Sequence, residues 1–120
     1  VVNTGSGNQY SFNGGEFSNA EKPVLHLKEG GTYTFNLNVS GHPFYFTVDD
    51  GSNHASGSYV GEYTTGITGS RTETGTLVFT VPEGAPQLYY NCAYHAGMQG
   101  TANTPAFDVP LVTFRSGISS

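Results

Sequence analysis

Thr32-Tyr33-Thr34-Phe35-Asn36-Leu37-Asn38-Val39 alternates without a break. Successive side chains of a strand point to opposite faces, so Tyr33, Phe35, Leu37 and Val39 share one face and the Thr and Asn residues the other. One apolar and one polar face is the pattern of a half-buried strand in an antiparallel sheet. A helix would need its apolar residues three and four apart. The stretch therefore decides for β structure, and its neighbours repeat the decision.

Upstream, Pro23 opens Val24-Leu25-His26-Leu27, with Leu25 and Leu27 on one face, and Glu29-Gly30-Gly31 predicts a hairpin-type turn into the long strand. Tyr10-Ser11-Phe12 predicts a short first strand ended by Asn13-Gly14-Gly15. Residues 1–8 are polar and Gly-rich and carry no signal-peptide pattern. Downstream, His42-Pro43-Phe44-Tyr45-Phe46-Thr47-Val48 puts His42, Phe44, Phe46 and Val48 on one face. Three of the four are apolar, so His42 is expected to point into the protein. The stretch from Asp49 to Thr74 is rich in Gly, Ser and Thr and predicts an irregular excursion with one short strand or helical turn, anchored by Tyr59, Val60, Tyr63 and Ile67. Leu77, Phe79 and Val81 mark the next strand; Leu88, Tyr90 and Cys92 share a face of the one after it. Phe107 to Phe114, interrupted by Pro110, reads as a closing edge strand.

About seven strands at short intervals, with no internal repeat, point to an all-β antiparallel sandwich or small barrel. At 120 residues the natural division is one domain over 1–120, with a polar N-terminal segment 1–8 and a C-terminal extension 104–120. The 17 Gly residues suit tight turns and argue against a helix bundle. Four basic residues against nine acidic ones, a formal net charge of −5, cannot form the basic face that nucleic acid or an anionic membrane surface requires. No apolar run approaches the ~20 residues of a membrane span. Sixteen Tyr and Phe residues (8 of each) set the chain apart from disordered sequences of low charge.

The single Cys excludes a disulfide within the chain. It falls in Cys92-x-x-His95-x-x-Met98, which holds the only Met as well. With His42 upstream, the set is one soft thiolate, two imidazoles and a weak thioether, the ligand set of a blue-copper site. Thiolate and thioether suit the cuprous ion and imidazole the cupric ion, so such a site serves both states with little rearrangement. Strand parity puts both Cys92 and His42 on core faces, which allows them to meet. A lone Cys is more often a buried hydrophobe, and a closed zinc site prefers more thiolates and no Met. A Cys–His nucleophilic pair lacks an orienting acid. His26, on a polar strand face, and His54, in the Gly/Ser loop, read as solvated residues, and Tyr94 as a surface aromatic.

Gly41-His-Pro-Phe44, Leu88-Tyr-Tyr-Asn-Cys-Ala-Tyr-His-Ala-Gly-Met98 and the Pro23–Phe35 stretch together resemble the cupredoxins, the family of plastocyanin and amicyanin, over roughly residues 9–103. The resemblance implies a Greek-key β-sandwich. It implies copper held by His42, Cys92 and His95 as equatorial ligands, with Met98 axial. It also implies a non-enzymatic role in single-electron transfer, with redox proteins docking near His95 over Ala93, Ala96 and Gly97, and an extracytoplasmic location, periplasmic or secreted. Two features depart from the family pattern. Only two residues separate His95 from Met98, which would change the distance or angle of the thioether. Pro43 stands where the family often has Asn, so support for the ligands must come from Ser40, Asn91 or backbone N–H groups. Two further readings are copper chemistry on a small molecule such as nitric oxide, motivated by the short loop and the 49–74 excursion, and a structural module of a larger extracellular or virion assembly, motivated by the extended C-terminus.

Overall fold

The computed structural model describes residues 2–4, 9–50, 61–95 and 97–106. Eleven strands run through these in chain order: β1 (Val2–Thr4), β2 (Gln9–Gly14), β3 (Phe17–Glu21), β4 (Leu25–His26), β5 (Thr32–Asn38), β6 (Phe44–Thr47), β7 (Glu62–Tyr63), β8 (Ile67–Thr68), β9 (Thr74–Thr80), β10 (Leu88–Cys92) and β11 (Gly100–Asn103). No helix occurs among the described residues. The strands form two sheets, one in the order β3-β2-β1-β5-β9-β8 and the other β4-β11-β10-β6-β7. All pairings are antiparallel except β1 with β5 and β11 with β4.

The alternating stretch forms the backbone of the first sheet. β5 pairs with β9 without interruption from Thr32↔Thr80 to Asn38↔Thr74. Its Thr and Asn side chains are exposed, Leu37 is buried and Tyr33 and Phe35 are half-buried, as the period of two requires. The second sheet is centred on β10 and β6, whose Leu88, Tyr90 and Cys92, and Phe44 and Phe46, are fully buried. The two sheets meet in one apolar cluster that joins Tyr10, Phe12, Leu37, Leu77 and Phe79 of the first to Leu25, Phe44, Phe46, Leu88, Tyr90 and Cys92 of the second. Rings lock across the interface: Phe46 packs on Phe79 at 5.4 Å, Tyr10 edge-on to Phe44 at 5.0 Å and Phe12 edge-on to Tyr90 at 5.1 Å. Offset and edge-to-face pairs of this kind add to the gain from buried area.

Several expectations are corrected. Glu29-Gly30-Gly31 is not a hairpin turn, because β4 and β5 belong to different sheets; it carries the chain from one layer to the other, with Gly30 N–H donating to Val81 O at 2.7 Å. Val48 does not join the core face and is 51% exposed, because β6 ends at Thr47 and the alternation ends with it. The described part of the 49–74 excursion holds two short strands, β7 and β8, where one was expected; Tyr63 and Ile67 anchor it to the core, while Tyr59 and Val60 lie outside the described residues. The expected closing strand at 107–114 also lies outside them. β10 pairs with β6 on one side and β11 on the other, and the Gly100-Thr101-Ala102-Asn103 of β11 has too little apolar patterning to read as a strand.

Gly100 shows why this strand needs its sequence. The Tyr90 ring lies over it, so a Cβ at residue 100 would fall inside the ring and its hydroxyl. That hydroxyl donates to Pro23 O at 2.6 Å. Gly100→Ala is expected to push the ring out of a closely packed core and lower unfolding stability by about 1–3 kcal/mol, measured by chemical denaturation; a neutral result would mean that Tyr90 has room to move.

Candidate metal centre

β10 and β6 fix the first two ligands. Their register runs from Tyr89↔Thr47 to Cys92↔Phe44, which brings Cys92 level with a residue two places after His42. Beyond the ladder, Ala93 N–H donates to Pro43 O at 3.0 Å, tying the two ligand-bearing segments once more. A tight turn then aims His42 inward: its N–H donates to Val39 O at 2.8 Å, and Gly41 takes a φ of 83°, a left-handed conformation open to glycine at little cost. The neighbouring Gly41 N–H is held by Glu73 Oε1 at 2.8 Å. His95 follows Cys92 by three residues and turns back onto it.

The result is a compact trio. Cys92 Sγ lies 3.6 Å from His42 Nδ1 and 3.6 Å from His95 Nδ1, and the ligand atoms of all three lie within 4.8 Å of one another. The imidazole rings are 4.7 Å apart, centre to centre. An ion about 2.3 Å from sulfur and about 2.0 Å from each nitrogen would see S–metal–N angles of roughly 113°, between tetrahedral and trigonal. The donors are thus spaced for one shared ion. Cys92 and His42 are buried and His95 is half-buried, so the ion would be dry on one side and near solvent on the His95 side.

Electrostatics favour the ligand form of His42. Burial lowers its pKa below the ordinary 6.5, and the neighbouring His95 lowers it further, against an opposing pull from Glu73. A neutral imidazole is the form that binds metal. Tyr10 completes the support: fully buried, it donates its hydroxyl to His42 O at 2.7 Å. Burial, then the nearby Cys92, push its phenol well above the usual range, so it stays a protonated donor.

Met98 is buried in the same apolar cluster as Cys92. Of the proposed supports, the backbone supplies the tie, through Ala93 N–H. Asn91 Nδ2 instead donates to Thr47 Oγ1 at 2.7 Å, on the face of β10 opposite Cys92, and Ser40 is exposed. Ala93 is fully buried and so forms no part of a docking surface; Gly97 is exposed, Tyr94 is 45% exposed, and Ala96 lies outside the described residues. His26 is exposed, as its strand face implied, and His54 lies outside the described residues. Tyr10 and Glu73 were not legible as site residues, because their contacts depend on sheet pairing and leave no local motif. Gln99, one residue after Met98, has its Oε1 buried without a hydrogen-bond partner among the described residues, a group that ordered water commonly satisfies. No family model, curated protein or solved structure matches the chain.

The His42 shift has a consequence for the protein without metal. As pH falls through 6.5, the unfolded chain takes up a proton on this side chain before the folded protein does. The unfolded state then binds more protons, so stability falls with falling pH. Denaturation midpoints compared at pH 7.5 and 5.5 are expected to fall less in His42→Gln than in the parent protein; equal losses would mean that His42 protonates alike in both states.

Proposed function

We propose that this protein is a mononuclear copper protein of the cupredoxin type, which passes single electrons between redox partners. The observation that carries the reading is the buried trio in which Cys92 Sγ stands 3.6 Å from the Nδ1 atoms of His42 and His95. One thiolate with two imidazoles is the equatorial set of a blue-copper site. A single Cys speaks against a structural zinc site, which closes with four protein ligands and favours several thiolates. Met98, the axial ligand of this reading, follows His95 by three residues and is buried in the same apolar cluster as Cys92. The Greek-key order of the strands and an extracytoplasmic setting belong to the same reading.

Bound copper would supply one-electron acceptance and release; everything else falls to the chain. The β6–β10 ladder, the Ala93–Pro43 bond and the Tyr10–His42 bond hold the ligand-bearing segments and would keep His42 and Cys92 in place in either oxidation state. Phe44 and Tyr90, stacked at 5.7 Å within the core, keep water from the inner side of the site. His95, half-buried, is the ligand through which electrons would leave, with exposed Tyr94 and Gly97 beside it in the docking surface. The net charge of −5 would favour encounter with basic partners.

Titration with cupric ion is expected to give one tightly bound copper and an intense visible thiolate-to-copper band, absent from Cys92→Ala. A protein that stays colourless, or binds copper equally well without Cys92, would overturn the reading. In Met98→Leu copper binding is expected to survive and the reduction potential to rise, because a weak donor to the cupric state is lost; an unchanged potential in voltammetry would remove Met98 from the ligand set.

A further inference from the structure

Lys22 holds a backbone conformation that its place in the sequence disfavours. It follows β3, which ends at Glu21, and precedes Pro23. A residue before proline is pushed toward extended backbone, with φ of about −120°. A left-handed φ is also costly for any residue that carries a Cβ. Lys22 nevertheless takes a φ of 48°. Strained backbone of this kind persists where the surrounding structure over-determines it, and functional sites are where it concentrates.

Three hydrogen bonds converge on the Lys22–Pro23 pair. Lys22 N–H donates to Tyr10 O at 2.9 Å, in the first sheet. Pro23 O accepts from the Tyr90 hydroxyl at 2.6 Å, in the second. The pair thus straps the two sheets together at two fully buried tyrosines, and Tyr10 is the residue whose hydroxyl holds His42 O. The third bond belongs to the side chain. Lys22 Nζ donates to Gly97 O at 3.4 Å, 75 residues along the chain.

Gly97 lies between His95 and Met98. It is exposed, takes a φ of 90°, and nothing lies within 4 Å of the place a Cβ would occupy. Packing therefore does little to fix this point of the loop. A hydrogen bond from an ammonium is stronger than one between neutral groups, and Lys22 is one of four basic residues in the chain. A left-handed φ re-aims the Cα–Cβ bond relative to the backbone, so the strain at Lys22 and its reach to Gly97 go together.

We propose that Lys22 is a positioning residue for the ligand loop. Its ammonium holds the Gly97 carbonyl and, through it, restrains His95 and Met98 on either side. The inference rests on the reading of Cys92, His95 and Met98 as ligands of one ion. The bond from Lys22 N–H to Tyr10 O forms whatever side chain stands at residue 22, so the side chain can be tested apart from the strap.

The test uses the full-length protein without metal, so its outcome is independent of copper uptake, which the visible band reports separately. Cys92 is fully buried, so its alkylation by neutral iodoacetamide, followed by mass spectrometry, reports how often its neighbours move aside. Lys22→Met is expected to be alkylated about threefold or more faster than the parent protein, with its denaturation midpoint unchanged. Lys22→Arg, which keeps a cationic donor, is expected to return to the parental rate. Lys22→Gly accepts a left-handed φ at little cost. It is expected to unfold at no lower denaturant concentration than the parent and still to be alkylated as fast as Lys22→Met. Equal rates in all four chains would overturn the proposal, as would a Lys22→Arg chain as fast as Lys22→Met. So would faster alkylation that tracks a fall in the denaturation midpoint, which would make Lys22 part of the general packing.

Discussion

The pairing of β10 with β6 is the constraint on which the rest depends. Four consecutive registers end at Cys92↔Phe44, and the chemistry follows from where they end. A shift by one residue would turn Cys92 from the core face to the outer face of the sheet. A shift by two would keep the face but move the sulfur one step of the pleat, roughly 7 Å, away from His42. The register is therefore held from several sides. Leu88, Tyr90, Phe44 and Phe46 bury on the inner face, and Asn91 bonds Thr47 on the outer face. The Ala93–Pro43 bond continues the tie past the last ladder residue, where a fraying strand would otherwise loosen the site.

Burying polar donors in such surroundings has a cost that the structure offsets locally. An unpaired polar group in an apolar interior is unfavourable by about 1–3 kcal/mol. His42 avoids the larger cost of a buried charge by remaining neutral, and its backbone is satisfied at both N–H and carbonyl, by Val39 and Tyr10. The sulfur faces the Nδ1 atoms of both imidazoles at 3.6 Å. A cluster whose side-chain donors converge on a single point, on segments tied by backbone bonds, is preorganised for a guest.

The sequence showed most where its signals were periodic. Alternation at 32–39 and 75–81 located β5 and β9, and the parity of Phe44, Phe46, Leu88, Tyr90 and Cys92 placed five core residues and the approach of Cys92 to His42. What it hid was of two kinds. Strands without apolar alternation, such as Gly100–Asn103 and Phe17–Glu21, exist because neighbouring strands offer hydrogen bonds; their own side chains do not demand them. Which sheet a strand joins was hidden too: Glu29-Gly30-Gly31 has the residues of a hairpin turn, yet the apolar faces of Leu25 and Leu37 are buried from opposite layers. Tyr10 belongs to the second group, since its role rests on a hydroxyl that meets a carbonyl 32 residues away.

These features divide the sandwich into two unequal ends. β1 closes the first sheet beside Asn38 and Gln9, the end at which Val39 turns the chain toward His42 and Tyr10 reaches its carbonyl. At the other end, Phe12 and Tyr33 of the same sheet line a cavity with Leu25 and Leu27. Local stability follows the density of buried contacts and protected hydrogen bonds, so the end that carries the donor trio is the better-braced one. The cavity shares no lining residue with the donor trio, and the two sheets join through the aromatic cluster, so a substitution that fills it is separated from the β6–β10 register.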